Sequence, residues 1–218
     1  MNSPHRRYVI LRHVGLPSNR RAAHIMAMSA VKRRWTAREV RELIAESPLQ
    51  TPRYELVDGE LLVTPSPTAL HQRAIHRLWR ALDAYLQRNP IGEVWTSPFD
   101  VELERETITQ PDLFVLPIHE VRRVLAEGLP ARELLLAIEA LSPSSGRVDK
   151  VEKRLMYTRR VPEYWIVDVD ARVFEGWRQH EAKPEVVVDS LVWHPTGAAD
   201  PFTLELASYF ADVCGGPA

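Results

Sequence analysis

The run Leu134-Leu-Leu-Ala-Ile138, followed at once by Glu139, constrains this chain more than any other feature. A continuous apolar stretch of that length marks a strand covered on both faces, and so a sheet with layers packed on either side. A charge at the end of such a strand is costly unless something pairs with it. A second acid, Asp112, follows Pro111 at the head of another apolar stretch, Leu113-Phe-Val-Leu116. Two carboxylates on neighbouring strands are the usual way to hold Mg²⁺, an ion that takes oxygen ligands and keeps several waters. Downstream, Asp149 and Lys153 stand four apart on a predicted helix and therefore share a face. The Ser142-Pro-Ser-Ser-Gly146 connection is short enough to fold that helix back onto the strand end, where Lys153 can reach a metal-held water. Asp149 is expected to fix Lys153 or the helix start. Spacing alone leaves a plain alternative, in which Glu139 and Lys153 form only a structural ion pair.

The remaining elements follow from punctuation and periodicity. Thr36-Ala-Arg-Glu39 is a capping box that opens a helix running to about Glu46, and Ser47-Pro48 stops it. Tyr54 to Val63 reads as two short strands around Asp58-Gly59, a dipeptide suited to a type I′ turn. Thr68 caps a long helix whose apolar face carries Leu70, Ala74, Leu78, Leu82 and Leu86, and Asn89-Pro90 ends it. Strands are predicted at Glu93–Thr96, Phe99–Leu103 and Asp112–Leu116, then a short helix Ile118–Ala126 closed by Gly128. After Leu134–Ile138 come a helix Val148–Arg160, a buried strand Tyr164–Val167, outer strands at Val173–Trp177, Glu185–Val188 and Phe202–Leu206, and a closing helix Ala207–Val213. The fold class is α/β (α+β): a mixed sheet with helices on its faces.

Composition removes several function classes. One cysteine excludes a disulfide framework and any Cys-rich metal site. There is no Gly-rich phosphate loop and no Gly-x-Ser-x-Gly elbow, and His119-Glu120 lacks the second His of a zinc helix. Most histidines are read as surface or packing residues, and Trp79, Trp95, Trp165, Trp177 and Trp193 as core or sheet-face packing rather than base-stacking platforms. No stretch approaches the ~20 apolar residues of a membrane span, so the expectation is a soluble, cytoplasmic protein. The net charge of −1 hides an asymmetry. Residues 1–34 hold 8 of the 28 basic residues and no acid, so residues 35–218 hold 20 basic against 29 acidic, a net of −9. The leader has the composition of a targeting peptide, but a disordered tail or an over-extended start before Met26 or Met28 explains it more simply. The predicted division is a disordered leader, 1–34, and one domain, 35–218.

Several motifs in order resemble the restriction endonuclease family of Uma-two type, within the PD-(D/E)XK nuclease superfamily. They are Tyr54-Glu-Leu-Val-Asp-Gly-Glu-Leu61, Ser66-Pro67, His71, Pro111-Asp112, Glu139-Ala-Leu-Ser-Pro-Ser144, Asp149, Lys153, Tyr157 and Val161-Pro-Glu-Tyr-Trp-Ile-Val-Asp168. The resemblance spans roughly residues 36–190. It implies a restriction-endonuclease-like mixed sheet flanked by helices, with Asp112 and Glu139 binding Mg²⁺ (or Mn²⁺) and Lys153 activating water for hydrolysis of DNA phosphodiester bonds. The superfamily lysine belongs two residues after Glu139, where this chain has Leu141; in this family it has moved to the following helix, where Lys153 stands. Glu60 is a further candidate acid and His71 a candidate substrate or water contact. Superfamily members are often homodimers. One departure is Thr158-Arg-Arg160, where the family commonly has Ala-Gly; it alters a turn. The rival expectation is a catalytically inactive member that binds nucleic acid or a partner, which the acidic body favours because DNA affinity comes from Lys and Arg. Against that, Arg147, Lys150, Lys153, Arg154, Arg159 and Arg160 concentrate positive charge beside the proposed site.

Overall fold

The computed structural model describes residues 33–46, 52–141 and 147–216, with the backbone alone for 147–150. The basic leader up to residue 32 lies outside the described residues. Helix α1 (Ala37–Glu46) starts as its capping box requires. The Thr36 amide donates to Glu39 Oε2 at 3.0 Å and the Glu39 amide donates back to Thr36 Oγ1 at 3.3 Å. Thr36→Ala removes half of this exchange and is expected to lower the urea midpoint by about 1 kcal/mol of stability. Strands β1 (Arg53–Val57) and β2 (Glu60–Thr64) form a hairpin. At its tip Asp58 and Gly59 have φ of 49° and 79°, the two positive values that a type I′ turn demands.

Helix α2 (Ala69–Arg88) follows, with the Thr68 hydroxyl accepting from the His71 amide at its start. Then come β3 (Gly92–Thr96), β4 (Leu113–Pro117), α3 (Ile118–Glu127) and β5 (Leu136–Ala140). Helix α4 (Arg147–Arg160) connects β5 to its parallel neighbour β6 (Glu163–Asp168), and β7 (Val173–Arg178) and β8 (Glu185–Val187) complete the sheet. The sheet order is β3-β4-β5-β6-β7-β8, antiparallel except at β5–β6.

Alternation along the strands divides the core in two. Leu113, Val115, Leu136 and Ile138 face α2 and the last helix, α5 (Leu206–Cys214), among Leu78, Leu82 and Phe210. Phe114, Leu116 and Ala137 face the opposite layer with Tyr157, Tyr164 and Ile166. A third small cluster of Ala37, Val40, Leu56 and Ile108 fixes α1 on the hairpin.

Two expectations need correction. Phe99–Leu103 is not a strand: Val101 makes only isolated bridges, to Thr109 and to Ala131, so this segment ties two loops together. Phe202–Leu206 does not extend the main sheet. Its strand β10 (Phe202–Glu205) pairs with β9 (Ser190–Trp193), absent from the sequence reading although Leu191 and Trp193 are buried around an exposed Val192. No described helix is long and apolar enough to cross a membrane.

Candidate active site

The chemistry-bearing side chains meet at one end of the main sheet. β4 and β5 pair with Leu113 opposite Ile138, and the same register continued one step sets Asp112 against Glu139. Glu139 sits on the β5 face that looks toward α4, because Leu136 and Ile138 occupy the other. Lys153 and Tyr157, four apart on α4, share the face that closes over this end. From β1, Arg53 and Glu55 point the same way, as alternate residues of a strand do.

Lys153 binds two of the acids, with Nζ 2.7 Å from Glu55 Oε2 and 3.0 Å from Glu139 Oε1. Glu55 is fully buried and also accepts from the Gln110 amide at 2.7 Å and the Thr109 hydroxyl at 3.0 Å. The Tyr157 hydroxyl lies 3.3 Å from Glu139 Oε1 and 2.7 Å from Thr109 Oγ1, so a hydroxyl pair links the two glutamates. Asp112 is held separately. Arg53 Nη2 donates to its Oδ1 at 2.9 Å, while His71 Nε2 and the Ala140 amide lie 2.8 and 3.0 Å from its Oδ2. The Ala140 contact ties Asp112 to the residue next to Glu139.

Three carboxylates in so small a volume cannot all be equally comfortable. Burial raises the pKa of Asp112, but His71, Arg53 and Lys153 together overcome it and hold the carboxyl well below its usual range. For Glu139 the balance goes the other way. Burial dominates, Lys153 opposes it, and the negative charges of Asp112 and Glu55 help push the carboxyl up to about 7. Burial would lower Lys153, yet the flanking glutamates raise it, so the ammonium stays charged. Burial and the same acids raise Tyr157, which keeps its proton.

This asymmetry bears on stability. A folded pKa above the ordinary carboxylate value means that Glu139 favours the fold fully below pH ~4.5, and that this contribution is lost as pH rises through about 7. Asp112, depressed, acts oppositely: its contribution is present above its ordinary value near 3.8 and lost as pH falls. Asp100 and Glu163, both raised mainly by burial, add to the Glu139 trend. In EDTA the guanidinium midpoint should therefore fall between pH 5 and 7.5, and Glu139→Gln should reduce that fall. An equal slope in both proteins would refute the assignment to Glu139.

The donor set fits a hard divalent cation. Asp112, at the head of β4, and Glu139, on β5, offer carboxylate oxygens, and with Glu55 they make three carboxylates against the two cations Arg53 and Lys153. Among the described residues no group of three or more His, Cys, Asp or Glu side chains is placed to hold a metal ion. A cation held by Asp112 and Glu139 alone would need waters or substrate oxygens for its remaining positions, as is usual for Mg²⁺.

The structure brings four sequence-nominated residues together: Asp112, Glu139, Lys153 and His71. Glu60 stands opposite Val57, two cross-strand pairs from Glu55, and the hairpin acid that meets Lys153 is Glu55. The Asp149 side chain lies outside the described residues. Sequence reasoning passed over Glu55 because a Glu between Tyr54 and Leu56 looks like the wet face of a hairpin. Both faces are in fact covered, with Glu55 and Leu56 each at 0% exposure. Of the basic residues expected beside the site, Arg159 pairs with Asp58, Arg160 with Glu104, and Arg154 lies over the Trp177 ring.

The sequence matches one family model, described as "Uma2: Putative restriction endonuclease", over residues 39–201. The chain belongs to this family. Among solved structures it is similar to an Anabaena variabilis protein described as a putative nuclease belonging to DUF820. The identity is 18%, with 79% of this chain and 97% of the other covered at a TM-score of 0.66. That likeness extends the family assignment to the fold: a nuclease-like mixed sheet flanked by helices. No curated protein matches the chain.

Proposed function

We propose that this Uma2-family protein is a metal-dependent endonuclease that hydrolyses DNA phosphodiester bonds at the Asp112–Glu139–Lys153 cluster. The observation that carries the reading is the convergence of two strand-borne carboxylates with one buried ammonium, 3.0 Å from Glu139, at a single sheet end. Asp112 and Glu139 would hold Mg²⁺ or Mn²⁺, which when bound polarises a phosphate oxygen and lowers the pKa of a bound water. Lys153 uses two of its N–H groups on Glu55 and Glu139. Its third is suited to orient the attacking water or to meet charge developing on the phosphate. Glu55, Thr109 and Tyr157 fix the ammonium in place. His71 and the Ala140 amide hold the Asp112 carboxylate at the edge of the same site. Arg73, Arg77 and Arg80, spaced along the side of α2 away from the core, take part in no ion pair among the described residues and could contact the DNA backbone.

One feature favours a non-catalytic member: both Asp112 oxygens, and Glu139 Oε1, already accept from cationic or N–H groups. Calorimetric titration of the folded chain with Mn²⁺ separates the two. The nuclease reading expects one saturable uptake, lost in Asp112→Asn; no uptake by wild type would favour the non-catalytic protein.

A further inference from the structure

A groove of about 620 Å³ opens onto Asp112 between α2 and the end of β3. Its floor is Asp112, His71 and Arg53, all nearly buried, so the proposed metal-binding carboxylate meets the groove directly. One wall is the side of α2 that carries Gln72, His76 and Trp79. The other is Thr96, Ser97 and Pro98, pinned to the floor by the Ser97 amide, which donates to the Asp112 carbonyl at 3.3 Å. The Trp79 indole N–H donates to the Val94 carbonyl at 3.3 Å and ties the α2 wall to β3.

Its charge sets this groove apart from the rest of the domain. Residues 35–218 carry 20 basic against 29 acidic side chains, a net of −9, yet Asp112 is the sole acid among the residues that line it. Arg53, His71, Gln72, His76, Thr96 and Ser97 all carry N–H or O–H donors. Such a lining suits a chain of phosphates. Gln72, His76 and Arg80 stand four apart along α2 and are exposed, so they form one ridge beside the groove. At ~1.5 Å per residue the ridge is about 12 Å long, the length of about three stacked nucleotides. It ends at Arg80, which takes part in no ion pair among the described residues.

We propose that this groove carries the sugar–phosphate backbone of the cut strand on one side of the scissile phosphate, with Gln72 and His76 as contact residues and Arg80 at the far end. The inference rests on the reading of Asp112 and Glu139 as a phosphodiester site. A scissile phosphate held at Asp112 has a neighbouring nucleotide on either side, and the groove that starts at that carboxylate leads one of them along α2. Backbone contacts fix register and carry no sequence information, so this groove adds affinity without selecting bases.

The test is DNA binding by the full chain with Ca²⁺, a hard, oxygen-seeking cation like Mg²⁺, followed by the fluorescence anisotropy of a fluorescein-labelled duplex. Gln72→Glu and His76→Glu each place a carboxylate on the ridge, at exposed helix positions where folding is not at stake. Each should weaken binding at least about tenfold. Val186→Glu adds the same charge at the opposite edge of the sheet, five strand spacings and about 24 Å from β3. It should stay within about twofold of wild type. Equal binding by all four proteins, equal weakening in all three variants, or no binding by wild type would overturn the inference. Wild-type nicking of plasmid in Mn²⁺ beside any of those results would leave the nuclease assignment standing. Weakening confined to the two ridge variants, with no nicking by wild type, would support the groove and sink the nuclease reading instead.

Discussion

Lys153→Met is expected to lose activity and stability together, whereas Lys153→Arg loses activity alone. Lys153 is the cation between Glu55 and Glu139, at 2.7 and 3.0 Å, and its side chain is 10% exposed. Methionine fills similar volume but leaves two buried carboxylates facing each other. Removing one partner from a buried ionic group costs about 3–5 kcal/mol, which urea titration near neutral pH would detect as a lower midpoint. Loss of a donor aimed at developing charge lowers turnover by about 10²–10³-fold. Arginine keeps the positive charge and so most of the stability. Its planar fork cannot reproduce a compact ammonium that serves two acids and a third group. If Lys153→Met cleaved DNA at the wild-type rate, Lys153 would have no catalytic part.

Glu55→Ala should be nearly as damaging to the fold. The carboxylate is fully buried and accepts from Lys153, the Thr109 hydroxyl and the Gln110 amide. Its removal strands those donors and unbalances the ammonium, a loss of about 3 kcal/mol or more. Glu55→Gln is the informative partner because it keeps an acceptor oxygen and removes only the charge. Glu55 is one of the groups that push Glu139 upward. In Glu55→Gln the Glu139 carboxyl should therefore titrate at lower pH, as followed by carboxyl-carbon NMR. An unchanged or higher Glu139 value would show that the two acids are not electrostatically linked as described.

The sequence made the scaffold legible where local physics decides alone. The Thr36–Glu39 box, the Asp58-Gly59 turn, the Thr68 cap and the apolar β5 run each specify their element without help from distant residues. It failed where long-range contacts decide. Residues 99–103 alternate like a strand, yet the chain there serves as a junction between Thr109 and Ala131. The candidate site was readable from its β5 end because a charge at the close of an apolar run demands compensation. The compensating set was less readable. Arg53, Glu55 and Thr109 come from segments whose polar pattern suits exposed strands and loops, and only the packing of the hairpin over the sheet end buries them. The charge asymmetry of the chain also changes meaning. Three basic residues expected to offset the acidic body are engaged with Asp58, Glu104 and Trp177, which shifts attention for phosphate contact to the α2 arginines.

The most direct measurement is nicking of supercoiled plasmid by wild type and Asp112→Asn, compared in Mg²⁺, Mn²⁺ and EDTA, with matched circular dichroism spectra. Asparagine is nearly isosteric but keeps one acceptor oxygen, for either Arg53 or the His71 and Ala140 side, so the matched spectra check that the fold survives while a metal-binding charge is lost. The predicted result is metal-dependent nicking by wild type, absent in EDTA, and at least about a hundredfold slower in Asp112→Asn. The same trace of nicking from both proteins, unaffected by either metal or by EDTA, would contradict the assignment of this cluster as a nuclease centre.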